Sequence, residues 1–125
     1  MKKGKVFIAG LAASLAILTA APLPTFAASY EYSYVGSTQV IGTVSKGTSG
    51  YAYYGGARTS TSSSAIVTQA TVTAVFADGT RSNYSDYYYR SSYIQVTSAR
   101  GSATKVNGGH FARGNGQTTN FSSWM

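Results

Sequence analysis

Residues 65–77 read AIVTQATVTAVFA and are followed by Asp78-Gly79, and this stretch decides the fold class. Apolar or small side chains recur at every second position from Ile66 to Phe76. A period of two is typical of a half-buried β-strand and not of a helix. Asp-Gly after such a strand favours a type I′ hairpin turn. Because residues 80–86 are polar on both faces, we predict a hairpin whose return strand is an exposed edge.

Other segments with the same alternation predict further strands at residues 30–35, 37–45, 51–54, 92–100, 103–106, 109–113 and 117–121. Glycine and asparagine tolerate turn geometry, and they predict breaks at Gly36, Gly55-Gly56, Asn107-Gly108 and Gly114-Asn115-Gly116. The serine and threonine run at residues 59–64 is interpreted as a loop or as the polar start of the next strand. The expected fold is all-β: a small antiparallel β-sandwich, or a meander or barrel, of about 6–8 short strands.

Residues 1–27 have the pattern of a secretory signal peptide. Three lysines up to Lys5 precede an apolar stretch over residues 6–21, and small residues surround Ala27. We predict a helical signal peptide over residues 1–27, cleaved near Ala27, and a single mature β domain over residues 28–125. No basic stop-transfer cluster follows the apolar stretch, so no integral membrane span is expected after cleavage. The expected location is extracellular, with secretion from a Gram-positive cell.

The predicted mature domain of 125 − 27 = 98 residues is unusual in composition. It keeps all 11 tyrosines of the chain but contains no leucine and no cysteine. Missing leucine disfavours amphipathic helices, and abundant Tyr, Thr and Val favour strands. Seven basic and three acidic residues give a net charge of 7 − 3 = +4. The basic residues are scattered and the chain is expected to be secreted, so we expect no nucleic-acid partner.

Few residues are suited to catalysis or metal binding. His110 is the one histidine, and the carboxylates are Glu31, Asp78 and Asp86. One histidine without cysteine cannot form a zinc site, so neither a metal nor another cofactor is expected. Glu31 and Asp86 are expected on exposed strands, and His110 is expected to be partly exposed and hydrogen-bonded to backbone or hydroxyl groups. We therefore expect a protein that is not an enzyme.

Aromatic residues crowd the stretch that ends at Tyr93. If residues 87–89 are extended, successive rings point to opposite faces, so the core can take only part of them. The rings either replace leucine in the core or form a binding face, since tyrosine combines a large flat contact with a polar tip. The residues of the predicted face are Tyr84, Tyr87, Tyr88, Tyr89, Arg90 and Tyr93.

The leading hypothesis for function is surface binding through this face, to a cell-wall polymer or other glycan, to a membrane surface or to a protein. One alternative is a secreted cationic bacteriocin or antimicrobial protein. A related alternative is a β-type toxin in which residues 59–89 insert into a membrane as a hairpin, although the return strand has no apolar face. Another is self-association into an extracellular matrix, which high β-propensity without proline would favour.

Overall fold

The computed structural model describes residues 5–9, 26–49 and 51–125, and it confirms an all-β chain with two antiparallel sheets. Ten strands are described, of which nine belong to the predicted mature domain, compared with the 6–8 expected there. They are β1 (Lys5–Ala9), β2 (Phe26–Val35), β3 (Thr38–Ser49), β4 (Ala52–Thr61), β5 (Val67–Phe76), β6 (Gly79–Tyr84), β7 (Tyr88–Tyr89), β8 (Ser91–Ser98), β9 (Lys105–Gly114) and β10 (Gln117–Trp124). Within the predicted signal peptide, residues 1–4 and 10–25 lie outside the described residues, so its helix and its cleavage stay predictions.

The two sheets face one another across a shared core. The first sheet has the order β1-β2-β3-β4-β8, and the second has the order β10-β9-β5-β6, with β7 also paired to β5. Val44 and Ala57 of the first sheet join Ala70, Val72 and Val106 of the second in one buried cluster. Each sheet therefore has an inner face turned to the other sheet and an outer face turned to solvent.

The predicted central hairpin is present. Strand β5 lies between β9 and β6, and its side chains at positions 68, 70, 72, 74 and 76 are all buried. Strand β6 lies at the edge and is almost wholly exposed, as its polar sequence predicted. The two-residue loop is Ala77-Asp78, because Phe76 pairs with Gly79. Only Gly79 there has a positive φ, of 124°, so the predicted type I′ turn at Asp78-Gly79 is wrong.

Two glycine-containing dipeptides that were predicted to end strands lie inside strands. Strand β4 continues through Gly55-Gly56 to Thr61, so residues 59–61 end this strand and form neither a loop nor the start of the next strand. Strand β9 likewise runs through Asn107-Gly108 and joins two predicted strands into one. A Cβ on Gly55 would lie 2.7 Å from the Ala74 Cβ of the opposite sheet. Gly55 and Gly108 allow the sheets to approach closely, a role that local sequence does not reveal. The turns at Gly36 and at Asn115-Gly116 are present as predicted, with positive φ at all three residues.

Hydroxyl groups connect the two sheets through the core. The Ser33 and Thr119 hydroxyls are 2.7 Å apart, and those of Thr68 and Ser92 are 2.9 Å apart. Each pair joins one sheet to the other, and all four residues are buried. Buried hydroxyls need such partners because an unmatched polar group in the core is costly.

Candidate functional site

The tyrosines of the predicted binding face lie at the surface. Tyr84, Tyr87 and Tyr88 are 62%, 55% and 55% exposed, and Tyr89 and Tyr93 are 66% and 39% exposed. Arg90 is also exposed. These six residues therefore do not fill the core as replacements for leucine.

Arg90 divides the predicted face between the two sheets. Its backbone N–H donates to the Ile66 carbonyl at 2.9 Å, and its own carbonyl accepts from the Thr61 N–H at 2.8 Å. Its φ of 71° turns the chain from β7 in the second sheet to β8 in the first. Residues 84–89 accordingly belong to the side of the second sheet, and Tyr93 belongs to the outer face of the first. The six residues do not form one continuous surface.

An open groove of about 480 Å³ lies on the outer face of the second sheet. Two cross-strand rows form its floor, Gln69–Phe111–Asn120 and Thr71–Gly109–Ser122, each running from β5 across β9 to β10. Gly109 leaves the centre of the floor without a side chain, and a Cβ there would collide with the Thr71 hydroxyl. The groove thus combines an aromatic ring with amide and hydroxyl groups, the mixture found in many ligand sites.

Tyr87 extends the aromatic part of this groove. Its ring contacts the Phe111 ring edge to face, with centroids 5.9 Å apart and an interplanar angle of 79°. The Arg113 guanidinium carbon lies 5.9 Å from the Tyr87 ring centroid. Tyr84 lies directly across the strand pair from Thr71, at the side of the floor. Of the predicted residues, Tyr84 and Tyr87 are therefore the two nearest to the groove.

Ser85 explains how Tyr87 reaches this position. Its hydroxyl accepts from the Ala70 N–H at 2.9 Å, and its own N–H donates to the Ala70 carbonyl at 2.8 Å. The Gln69 side-chain amide donates to the Ser85 carbonyl at 3.0 Å. These bonds hold the chain between β6 and β7 against β5, so that residues 85–87 form an irregular segment beside the groove. Tyr87 is positioned by this segment and not by strand alternation.

Tyr93 belongs to a second aromatic patch, on the outer face of the first sheet. The Arg58 guanidinium carbon lies 4.9 Å from its ring centroid, and the Tyr93 hydroxyl donates to Gln95 Oε1 at 2.8 Å. A Cβ on Gly56 would lie 2.6 Å from that hydroxyl oxygen, so the glycine leaves room for the ring. Desolvation raises the pKa of Tyr93 to about 12, with a further rise from Tyr54 that Arg58 opposes.

His110 is buried in the core, so its predicted partial exposure is wrong, whereas its predicted hydroxyl partners are present. Thr59 Oγ1 donates to the Gln69 carbonyl at 2.9 Å, and it therefore accepts from Nδ1–H of His110, also at 2.9 Å. The neutral ring then accepts from the Ser123 hydroxyl through Nε2, at 2.7 Å. Desolvation lowers the pKa of His110 to about 4.

A serine hydrogen-bonded to a histidine is also the arrangement of a nucleophile and its general base. In this chain Ser123 is 0% exposed and His110 is 2% exposed, so a substrate would have to separate the sheets to reach the Ser123 hydroxyl. The partner of Nδ1 is a threonine hydroxyl and not a carboxylate. This geometry connects the sheets, since Thr59 belongs to the first sheet and Ser123 to the second.

The three carboxylates lie apart from one another in the fold. Glu31 is 6% exposed on the inner side of β2, so its predicted exposure is wrong. Asp78 forms a two-bond ion pair with Arg81, at 2.7 and 3.1 Å, and this hydrogen bonding lowers its pKa to about 2. Asp86 is exposed next to Tyr87. Across the described residues, no three His, Cys, Asp or Glu side chains are grouped as metal ligands would be.

Sequence reasoning missed most of the groove floor. Gln69 and Phe111 were assigned to predicted strands, but nothing local indicated that they would be neighbours of Asn120. The tyrosine cluster was the one signal that pointed toward this side of the molecule. In the part of the chain that the structure covers, no helix is long and apolar enough to cross a membrane. Compared with protein-family models, with curated proteins and with solved structures, the chain gives no match.

Proposed function

We propose that this chain is a secreted, non-catalytic binding domain that takes a cell-wall glycan into the groove on the outer face of its second sheet. The observation that carries the proposal is the combination of the Tyr87–Phe111 ring pair with the amide and hydroxyl groups of the floor. Sugars present apolar C–H faces that stack on aromatic rings and hydroxyls that bond to amides. The groove offers both ring stacking and hydrogen bonding.

Charge around the groove supports a cell-wall polymer as the ligand. Arg113 lies over the Tyr87 ring, which contacts Phe111 at the aromatic end of the groove. Polymers of the Gram-positive envelope carry phosphate and carboxylate groups, which attract such cations. The predicted signal peptide would deliver the domain to the same compartment. A volume of about 480 Å³ suits a few sugar units and not a long embedded chain.

Retention on purified Gram-positive cell wall tests the proposal, with soluble fragments of the same wall as competitor. Tyr87→Ser and Asn120→Ala each remove one contact of the groove, and each should weaken retention by about tenfold, which corresponds to ~1.4 kcal/mol. Tyr51→Ser is the matched control, because Tyr51 is fully exposed at the β3–β4 turn, away from the groove. Tyr93→Ser examines the patch on the first sheet.

Three results would overturn the proposal. They are a wild-type protein that the wall does not retain, groove variants that bind as well as Tyr51→Ser, and binding to anionic vesicles in place of the wall. The alternatives from the sequence can be examined with the same purified protein. Growth inhibition of related bacteria tests an antimicrobial role, and thioflavin fluorescence tests self-assembly.

A further inference from the structure

The edge of the first sheet at β2 accepts an added strand. Lys5–Ala9 forms β1 there and pairs antiparallel with β2, from Lys5 opposite Glu31 to Ala9 opposite Ala27. Within the described residues, β1 covers only residues 27–31 of this edge, and the part from Tyr32 to Val35 extends beyond it. The strand that occupies the edge is the start of the predicted signal peptide.

Removal of that peptide would expose the whole edge. Cleavage after Ala27, which the proposed function requires, would separate β1 from the domain. The N–H and C=O groups of residues 28–35 that point away from β3 would then be unpaired. An exposed, regular edge strand readily pairs with another strand. The outward side chains of β2 are then Tyr30, Tyr32 and Tyr34, each partly buried in the intact chain, and Tyr32 and Tyr34 pack edge to face with centroids 6.1 Å apart.

We propose that a second copy of this chain occupies the edge, through antiparallel pairing of β2 with β2 of the partner about a two-fold axis at Tyr32. In this register Tyr32 faces Tyr32 of the partner subunit, and Tyr30 faces the partner's Tyr34. Cross-strand aromatic pairs of this kind stabilise sheets. The two first sheets join into one, and their outer face carries a ladder of six tyrosines along the two-fold seam.

Charge and length favour this register over its neighbours. With the axis at Tyr32, Glu31 faces Ser33 of the partner subunit, so the two carboxylates are not opposed. With the axis at Glu31, the two carboxylates would face each other directly, which is destabilising. With the axis at Tyr30, a chain that begins at Ala28 could pair only residues 28–32, whereas the Tyr32 register pairs residues 29–35. Of the registers that do not oppose like charges, the Tyr32 register therefore pairs more residues than the Tyr30 register.

The test uses the product secreted by a bacterial host that expresses the full chain. Mass spectrometry identifies its first residue, and analytical ultracentrifugation over a hundredfold range of concentration gives its oligomeric state. We expect a dimer of the cleaved chain. Tyr32→Lys places two like charges at the axis and should yield a monomer with an unchanged circular dichroism spectrum. Thr97→Lys is the matched control, because Thr97 is exposed on the outer face of the same sheet but belongs to β8 at its opposite edge, and it should leave the dimer intact.

A synthetic peptide with the sequence of residues 4–10 provides a measurement without any variant. It should compete for the edge and convert the wild-type dimer into monomer. Four results would each overturn the proposal. The product could stay monomeric, retain residues 5–9 or form an open series of larger assemblies, or the peptide could fail to dissociate the dimer. Glycan binding is a separate readout, since Tyr32→Lys leaves the groove residues in place and retention on the wall should not change.

Discussion

A methyl group added at Gly42 is expected to destabilise the core through its effect on His110. An alanine Cβ at this position would overlap the imidazole ring of His110. The ring cannot move aside, because hydrogen bonds hold both of its nitrogens, to Thr59 at 2.9 Å and to Ser123 at 2.7 Å. The ring also has little space on the side of Gly108, because a Cβ on that residue would lie 3.0 Å from Nε2. Gly42→Ala must therefore strain the sheets or expel the ring.

Both responses are costly. Overpacking a close-packed core costs about 1–3 kcal/mol. Expulsion of the ring would lose two hydrogen bonds worth about 1 kcal/mol each and remove the acceptor of the buried Ser123 hydroxyl. We expect Gly42→Ala to reduce the free energy of unfolding by about 3 kcal/mol. Since a domain of this size has a total stability of about 5–15 kcal/mol, the loss is readily measured.

A double-mutant cycle with His110→Ala measures the clash itself. Urea unfolding followed by circular dichroism gives the free energy of each variant. His110→Ala alone should cost about 3 kcal/mol, but in its background the Gly42→Ala change should cost less than ~0.5 kcal/mol, because the ring is gone. Thr43→Ala, a neighbour that faces solvent, should have a small effect that is equal in both backgrounds. Effects of Gly42→Ala and His110→Ala that add within ~0.5 kcal/mol would refute the reasoning.

Three further outcomes are expected. The pKa of His110 is about 4 in the folded protein and near 6.5 when unfolded. The unfolded chain therefore binds more protons between these values, so the free energy of unfolding is greatest above pH 6.5 and falls by up to ~3 kcal/mol as the pH drops toward 4. Urea unfolding measured from pH 4 to pH 6.5 should show this decrease in the free energy of unfolding for the wild type. An equal decrease in His110→Asn would show that His110 is not its cause. Gly108→Ala should cost about 2 kcal/mol by collision between the sheets, whereas Gly116→Ala, where φ is 76° and no atom is near, should cost about 1 kcal/mol. A larger loss at Gly116 in the same denaturation assay would mean that Gly108 does not lie between the sheets. Tyr93→Phe should remove the tyrosinate absorbance step near pH 12 in an alkaline titration, a step that Tyr51→Phe must preserve.

Predictions from sequence were most accurate where the decisive contacts are local. The alternation from Ile66 to Phe76 identified β5 and its buried face, because side chains of a strand point alternately to its two sides. The turn at Asn115-Gly116 was identified for a similar reason, since residues of these types accept a positive φ. The same rule failed at Asn107-Gly108. This dipeptide lies inside β9, and its glycine leaves space for the side chains of Val44 and His110.

The candidate site was only partly predictable. The exposed tyrosines were found as a cluster because they are neighbours along the chain. Their division was not, because a single residue with positive φ, Arg90, directs the chain from one sheet to the other. The groove floor depends on the register between β5, β9 and β10, which places Gln69, Phe111 and Asn120 in one row.

The sequence by itself determined that this chain would be all-β, since a period of two in side-chain character and a lack of leucine are properties of each segment alone. It also determined where the central strand would lie and that the core could take only part of the tyrosine cluster. The tertiary structure alone decided which glycines are turns and which are contacts, that His110 is buried, and which aromatic residues share a groove. The physical reason is that these features arise between strands far apart in the chain, where close packing and hydrogen bonding across two sheets select the register.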